Sequence, residues 1–458
     1  MVGIGHDQVT LRKGTTVKKK VAVVSVADAE EAARLADLPL EATVALAEVA
    51  GAIKDGLLAF ASATGLVVMH QMMEAELSEA IGEKHAKIGA DERVGNWHGN
   101  TKGSVVLGGR QVSTERPRGR TSAGTEIALD TWKAFSSADL LDSLVIERML
   151  AGVATRRHGN VAEPIGSELE GRSKSMSKSA VSRRFVAATT KAMGELMAQN
   201  LADLEVAVLM IDGLDVAGSC VVVALVITTD GTKVPVGLWL GDTENKTVVT
   251  ALLADLVARG LDTSSGVLCI IDGAKALAAG IKKVFGDAAS VQRCVLHKRR
   301  NLDGHLPKEL AGVVDKRLAL IFAQPDAAKG LAAAKALAKE LEADHPDAAA
   351  SLREGLDDMF TVRRLGVGGT LAATLTTTNC IESMISIAKR TTRRVTKWKD
   401  GSMKKRWIAA GMLEAERSFR RVRGHKDMAK LVDALRSEVA RKATPVVVTP
   451  EEYDQAAA

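Results

Sequence analysis

The chain has 458 residues, a length that predicts roughly two to four domains. Its 62 Lys and Arg against 56 Asp and Glu give a net charge of only +6, and 46% hydrophobic residues exclude a disordered chain. Aromatic residues make up 3%, too few for a protein that binds single strands by stacking bases. The four cysteines form no Cys-x-x-Cys pair, and acidic and basic residues interrupt the apolar stretch 42–73. We therefore expect a soluble intracellular protein with no disulfide framework, zinc ribbon or membrane partner.

The charge is unevenly distributed along the chain. Residues 389–426 contain 14 Lys or Arg against 3 acids, and residues 148–191 contain 9 against 3. Residues 93–120 contain 6 against 1, and residues 292–301 contain four basic residues and no acid. These four stretches hold a net +26, so the rest of the chain carries about −20. One such stretch is usually a solvated helix face, but four of them favour a polyanionic partner.

The first 203 residues are expected to form three regions. Residues 1–90 are predicted to be helical, serving oligomerisation or docking, and glycine-rich residues 91–135 to form a small basic β-rich module. Residues 136–203 are predicted to be a helix-turn-helix-like DNA-binding region, with helices at 137–149 and 153–157 before a capped basic helix. That last helix carries Arg183 and Arg184 as candidate DNA contacts, although capped basic helices are common in other proteins.

Strands are predicted from apolar runs at 206–211, 219–229, 233–240, 267–271 and 291–296. Asp230-Gly231 predicts a hairpin between the second and third of them, and helices are predicted at 245–259 and 274–285. This order predicts an α+β or α/β fold with a mixed sheet, and specifically an RNase H-like core beginning at 204–303. Residues 304–375 show helical periodicity without strands, which predicts an all-α insertion. The core is expected to resume at 376–425, followed by a C-terminal helix and tail at 426–458.

The tripeptide Ile-Asp-Gly occurs twice, at residues 211–213 and 271–273, each time after an apolar strand. If these strands are parallel neighbours, Asp212 and Asp272 lie side by side, where a divalent cation would relieve their repulsion. Carboxylate oxygens suit Mg²⁺, with Mn²⁺ as an alternative. Glu382, near the start of a later basic helix, is the candidate third ligand for two-metal phosphoryl transfer.

Several strings resemble the Mutator-type transposases of bacterial insertion sequences, which are DDE recombinases. The most specific are Cys294-Val-Leu-His297-Lys-Arg-Arg-Asn301 and Thr377-Thr-Asn-Cys-Ile-Glu382, supported by residues 237–244, 258–261 and both Asp-Gly pairs. The resemblance covers about 200–425. It implies that Asp212, Asp272 and Glu382 are the catalytic and metal-binding triad, that no other cofactor is needed, and that the helical block is the family's insertion domain.

The basic residues around these motifs are candidate DNA contacts. Cys294 and His297 could be half of a zinc site, or a buried Cys with a His near a helix start. The resemblance instead implies that His297 holds DNA near the cleavage site, together with Arg293, Lys298 and Arg300. Further candidates are Asn301, Asn379, Lys389 and Arg390.

The expected function is a DNA transposase that binds terminal inverted repeats and catalyses metal-dependent strand cleavage and strand transfer. Because two DNA ends must be held together, a homodimer is expected, with DNA rather than a small molecule as substrate. A transposase is also expected to be cytoplasmic and associated with the nucleoid. Two alternatives remain open from the sequence: an RNase H-like nuclease or resolvase without strand transfer, and a helix-turn-helix regulator with a degenerate enzyme core.

Overall fold

The computed structural model describes residues 56–85, 94–137, 139–174 and 176–443. Of residues 1–90, which are expected to be helical, residues 1–55 and 86–90 lie outside the described residues, as does the tail after residue 443. The chain divides into two compact units, one formed by residues 1–144 with 156–177 and the other by residues 145–155 with 178–458.

The described part of the first unit is built around a long β-hairpin. Strands β1 (Gly95–Leu107) and β2 (Arg110–Thr121) pair antiparallel, and β3 (Ser173–Lys174) joins the edge of β2. Its helices are α1 (Leu57–Ile81), α2 (Asp130–Ser136) and α4 (Ser167–Gly171). The boundary between the two units falls within α3 (Asp139–Leu150), after Leu144. Met69, Met73 and Leu77 of α1 pack against Val105 of the hairpin, forming a small core of their own.

Among the described helices, α1 alone is long and apolar enough, by length and composition, to cross a membrane. A single helix of this kind does not establish a membrane span, because the core helix of a soluble domain has the same composition. Its buried residues pack on the hairpin.

The second unit contains a five-stranded mixed sheet, which confirms the predicted mixed α/β architecture. Its strands are β4 (Val206–Val216), β5 (Ser219–Thr228), β6 (Lys233–Gly241), β7 (Val267–Ile271) and β8 (Ala289–Arg293). They lie in the order β6-β5-β4-β7-β8, with the first three antiparallel and β4, β7 and β8 parallel. The Asp230-Gly231 hairpin between β5 and β6 forms as predicted, with Gly231 at a φ of 87°.

Strand β4 is longer than predicted, since residue 211 was expected to be its end. It continues to Val216 because β5 pairs with it along its whole length through a second tight hairpin at Ala217-Gly218. Ala217 has a φ of 49° and Gly218 a φ of 75°, the left-handed conformation that a two-residue hairpin turn requires. Asp212 therefore lies inside β4 and not at its last residue.

Helices cover both faces of this sheet. On one face, α6 (Lys246–Ala258) and α7 (Lys275–Phe285) pack against Leu209, Ile211 and Ile271. On the other face, α13 (Gly369–Leu375), α14 (Asn379–Thr392), α15 (Gly401–Glu416) and α16 (Met428–Ala443) pack against Met210 and Ile270. The two faces take alternate residues of the same strands, as the pleat of a strand dictates.

A helical cluster with a separate core lies between β8 and α14 in the chain. It comprises α8 (Val295–Asp303), α9 (Lys308–Ala323), α10 (Ala327–Leu341), α11 (Pro346–Arg353) and α12 (Thr361–Arg364). Gln292, which is fully buried, joins β8 to this cluster. Its side chain donates to the carbonyl of Met359 at 2.9 Å and accepts from the N–H of Val362 at 2.9 Å.

The stretch predicted as helix-turn-helix differs in detail from the prediction. Its first helix is α3, and the helix expected at 153–157 is a single 3₁₀ turn, Thr155–Arg157. The basic helix, α5 (Lys178–Ala198), begins four residues before Ser182 and extends over 21 residues. Phe185 packs on Trp407 of α15 with ring centroids 4.6 Å apart, and Thr189 accepts from buried Arg406 at 3.0 Å. One side of α5 is therefore part of the second unit's core.

Candidate active site

Asp212 lies in β4, and Asp272 is the residue that follows the neighbouring parallel strand β7. The register pairs Val208 with Leu268 and Met210 with Ile270, an offset of 60 residues. The same offset separates the two aspartates, which lie two residues beyond the last registered pair, at the end of β7. Met210 and Ile270 face the side of the sheet covered by α14, and residues two positions further along a strand face the same side.

Glu382 approaches this pair from the first turn of α14. Three backbone hydrogen bonds fix the relation between the segments. The N–H of Cys294 donates to the carbonyl of Ile271 at 2.8 Å, and the N–H of Val295 donates to the carbonyl of Thr376 at 3.0 Å. The N–H of Glu382 donates to the carbonyl of Thr378 at 2.9 Å. The end of β7, the start of α8 and the start of α14 are thereby held together.

The charges of Asp272 and Glu382 both act on Asp212. Burial, followed by the charge of Asp272 and less strongly that of Glu382, raises the pKa of Asp212 from 3.8 to about 6. The N–H of Gly213, which donates to Asp212 Oδ1 at 2.8 Å, and the nearby His297 offset part of this rise. The charged form of Asp212 is therefore destabilised where it stands, and a bound cation would remove that cost.

Thr378 connects Glu382 to the Cys-x-x-His motif. Its side chain is fully buried and its hydroxyl lies 2.5 Å from Glu382 Oε1, 3.2 Å from Cys294 Sγ and 3.3 Å from His297 Nδ1. Burial alone would raise the pKa of the Cys294 thiol, but hydrogen bonds with His297 and Thr378 lower it overall. The hydrogen bond with Cys294, aided by the charges of Glu382 and Asp272, raises the pKa of His297 against the opposing effect of burial.

Two sets of donor atoms meet at Glu382. The predicted triad of Asp212, Asp272 and Glu382 would offer only oxygen atoms, the ligands that Mg²⁺ and Mn²⁺ prefer. One donor atom each from Cys294, His297 and Glu382 also lies within 4.8 Å of the others, a thiol–imidazole–carboxylate set of the kind that suits a softer ion such as Zn²⁺. The residues present thus fit a divalent cation at the aspartate pair, the group that the sequence predicted there.

Glu244, which the sequence argument did not select as a site residue, is a fourth acid in this region. Burial, followed by the charges of Asp272, Asp212 and Asp215, raises its pKa from 4.5 to about 7. Its carboxylate occupies the space that a Cβ on Gly213 would need. No spacing in the sequence singles it out, since it lies in the loop between β6 and a helix capped by Asn245.

One protein family matches most of the chain. The family described as "Transposase, Mutator family" matches residues 40–421. The chain belongs to the Mutator family of transposases. The transposase for insertion sequence element IS905 of Lactococcus lactis subsp. lactis is 24% identical over 387 residues, which are 81% of this chain and 92% of that protein.

Two further relatives match shorter parts of this chain. The transposase for insertion sequence element IS6120 of Mycolicibacterium smegmatis is 29% identical over 202 residues, covering 43% of this chain and 61% of that protein. The transposase for insertion sequence element IST2 of Acidithiobacillus ferrooxidans is 30% identical over 178 residues, covering 38% of this chain and 58% of that protein. The chain thus spans less than two thirds of the length of these two relatives.

Two of the predicted DNA contacts of the transposase are buried. Arg293 is 7% exposed, its Nε lies 3.6 Å from Asp358, and a Cβ on Gly355 would collide with its guanidinium. Lys298 is 5% exposed, and its Nζ donates to the carbonyls of Ser351 at 2.6 Å and Glu354 at 2.9 Å. Both side chains therefore connect β8 and α8 to α11 and the residues just after it, and neither is accessible to DNA.

The remaining predicted contacts lie at the surface of the transposase or close to it. Exposed residues are Arg300 and Asn301 on α8, Asn379, Lys389 and Arg390 on α14, and Arg183 on α5, whereas Arg184 and His297 are half-buried. On α14, the spacing from Glu382 to Ser386, Lys389 and Arg390 follows one helix face. That face begins with the acid and ends in basic residues.

Proposed function

We propose that this protein is the transposase of an insertion sequence, which binds the terminal inverted repeats of its element, cuts the DNA strands and joins them to a target. The observation that supports this best is the convergence of Asp212, Asp272 and Glu382 from two parallel strands and one helix in a Mutator-family chain. A DNA substrate, with no small molecule, also fits the basic stretches of the sequence.

The proposal includes the fold type of the catalytic unit. Strands β4–β8 with α14 and α15 would form an RNase H-like DDE core in two parts, 204–303 and 376–425. The helical residues 304–375 would be an all-α insertion, supported by their separate hydrophobic core. The upstream regions, a β-rich module at 91–135 and helix-turn-helix-like residues 136–203, would recognise the ends of the element.

Asp212, Asp272 and Glu382 would hold Mg²⁺, or Mn²⁺, through their carboxylate oxygens. When bound, the cations supply the activation of water or of a DNA 3′-hydroxyl and the stabilisation of charge on the phosphate. Thr378 orients Glu382 by donating to it, and its backbone holds the first turn of α14 in place. His297, near Glu382 and with a raised pKa, is placed to contact a phosphate as a cation.

The exposed face of α14 would hold the DNA strand that is cut. Glu382 and Arg390 are eight residues apart, or about 12 Å along a helix. That distance equals between three and four nucleotide steps of about 3.4 Å on one strand. Lys389 and Arg390 would then bind phosphates a few nucleotides from the reacting one, with Arg300, Asn301 and Asn379 on the neighbouring segments.

Cleavage assays on DNA carrying the element's terminal sequences test this proposal. We expect Asp212→Asn and Asp272→Asn to abolish Mg²⁺-dependent strand cleavage while leaving binding of the ends within about twofold. Asp242→Asn, an exposed acid in the turn after β6, is the matched control and should cleave normally. Cleavage by Asp212→Asn at the wild-type rate would refute the assignment.

A joining assay with a pre-cut end separates a transposase from a nuclease. A DNA end with a free 3′-hydroxyl should be joined to target DNA by the wild-type protein in Mg²⁺. Cleavage without joining would contradict the transposase proposal and favour a nuclease. Because two ends must be joined at one site, we further propose that the protein acts in the cytoplasm as a homodimer, and crosslinking on paired ends should trap two chains.

A further inference from the structure

Gly213, next to Asp212 in β4, has no side chain, and the gap that this leaves beside the strand is called the notch. Position 213 faces the α6 side of the sheet, because it follows Leu209 and Ile211 in alternation. Glu244 approaches from that side, and its Oε2 lies where a side chain at 213 would begin. An alanine there would collide with this carboxylate, so the glycine is what allows Glu244 to lie against the β4 backbone.

At the notch, no neighbouring strand separates side chains on one face of the sheet from those on the other. Pairing between β4 and β7 ends at Met210 and Ile270, and β7 itself ends at Ile271, while β4 continues to Val216. Beyond that point one edge of β4 has no strand beside it. Side chains from the α14 face and from the α6 face can therefore approach each other around this edge, at the level of Asp212 and Asp272.

Glu244 has acids rather than cations as its close electrostatic neighbours. The charges acting on it are those of Asp272, Asp212 and Asp215. Among the described residues, its half-buried carboxylate accepts no hydrogen bond and forms no ion pair. Burial and the charges of Asp272 and Asp212 disfavour the charged form of Glu244, and a bound cation would remove that cost.

We propose that Glu244 is a fourth carboxylate ligand of the divalent-cation site, reaching Asp212 and Asp272 through the notch at Gly213. This inference rests on the proposed function, because it extends the same cation site. It adds to the triad an acid from the opposite face of the sheet, and it assigns Gly213 the role of leaving room for that acid. The donor set then consists of four carboxylates, all oxygen ligands of the kind that Mg²⁺ and Mn²⁺ prefer.

Binding of Mn²⁺ to the full-length protein, measured by calorimetry and by electron paramagnetic resonance of free Mn²⁺, tests the proposal without relying on activity. Glu244→Gln keeps the shape of the side chain and removes its charge. We expect it to weaken Mn²⁺ binding by about tenfold or more, a change of about 1.4 kcal/mol or more. Asp242→Asn, an exposed acid two residues away, should leave Mn²⁺ affinity unchanged.

Gly213→Ala tests the notch without removing any acid. Its Cβ should displace the Glu244 carboxylate and weaken Mn²⁺ binding in a protein that still has all four carboxylates. The Gly213→Ala, Glu244→Gln double variant should bind Mn²⁺ only slightly more weakly than Glu244→Gln alone, because both changes remove the same interaction. Fully additive losses would mean that the alanine acts elsewhere, which would overturn the assigned role of Gly213.

The melting temperature in EDTA distinguishes loss of a ligand from loss of the fold. Glu244→Gln should melt no lower than wild type without metal, and should lose most of the rise that Mg²⁺ gives to the wild type. Its strand cleavage should recover as Mg²⁺ is raised. Wild-type Mn²⁺ affinity in Glu244→Gln, with binding lost in Asp212→Asn, would overturn this inference alone. Wild-type Mn²⁺ affinity in Asp212→Asn would overturn the proposed function as well.

Discussion

Removing the charge of Asp212 should stabilise the metal-free protein. Burial and the neighbouring charges of Asp272 and Glu382 raise the pKa of Asp212 from 3.8 to about 6, so the folded state binds its proton more tightly than the unfolded chain does. For an acid, this means that stability is lost as the pH rises from the ordinary value through the raised one. Asp212→Asn cannot ionise but still offers an oxygen to the N–H of Gly213, so it should escape this loss.

The expected size follows from the two pKa values. Well above both of them the ionised Asp212 costs about 3 kcal/mol, and at pH 5, between them, it costs about 1.5 kcal/mol. Asp212→Asn should therefore raise the free energy of unfolding in EDTA by about 1.5 kcal/mol more at pH 8 than at pH 5.

Urea unfolding of the full-length protein in EDTA at pH 5 and pH 8 measures this difference. Asp242→Asn, an exposed control, should change the free energy of unfolding by less than about 0.5 kcal/mol at either pH. In Mg²⁺ the order should reverse, because wild type gains stability from the bound cation and the variant does not. A variant that is less stable than wild type by the same amount at both pH values in EDTA would refute the reasoning.

Three further variants separate positioning, structural and DNA-binding roles. Thr378→Val removes the hydroxyl that donates to Glu382 and should slow Mg²⁺-dependent cleavage by roughly 10–100-fold, while Thr378→Ser should stay close to wild type in the same assay. Lys298→Met loses two hydrogen bonds to backbone carbonyls and should lower the free energy of urea unfolding by about 2 kcal/mol with DNA affinity unchanged. Arg390→Ala should leave stability within about 0.5 kcal/mol and reduce the slope of log affinity against log salt by about 0.9, as measured by fluorescence anisotropy.

The aspartate pair could be predicted from the sequence because its signal is local. Each Asp follows an apolar run that reads as a buried strand, and parallel neighbours bring such residues together. The extent of β4 could not be predicted in the same way, because it depends on pairing with β5 through Ala217-Gly218. A turn with alanine at positive φ lacks the Asn-Gly or Asp-Gly signal by which hairpins are recognised.

Glu244 was beyond sequence reasoning for a different physical reason. Its closeness to Asp212 depends on where β7 stops, on the missing side chain at Gly213 and on the approach of the loop before α6. None of these is encoded in the spacing between the acids. Thr378 is a similar case. Its Thr-Thr-Asn string predicts a helix cap, but its hydroxyl donates a hydrogen bond to Glu382, one turn ahead, and caps no backbone N–H.

Charge counting along the chain predicts a polyanion partner, but burial decides which charges can meet it. Of the four basic residues at 292–301, Arg293 and Lys298 are buried, and Arg299 forms two hydrogen bonds of 2.6 and 2.7 Å with Asp315. Arg300 is thus the one basic residue of that stretch that is exposed and has no ion pair among the described residues. The stretch therefore contributes about one charge to a DNA surface rather than four, and the number of phosphates it can neutralise falls accordingly.

By the same criteria of burial and ion pairing, most basic residues in the stretch after Glu382 remain able to meet DNA. Arg406 is buried against Thr189, and Arg421 pairs with Asp230 at 2.9 Å, but Lys389, Arg390 and the basic residues that follow them up to Lys399 are exposed. Because salt dependence counts neutralised phosphates, substitutions on this stretch should lower the slope of log affinity against log salt, one unit at a time. Substitutions at Arg293 or Lys298 should leave that slope unchanged, since a buried cation that is bound to the protein releases no counterion from DNA.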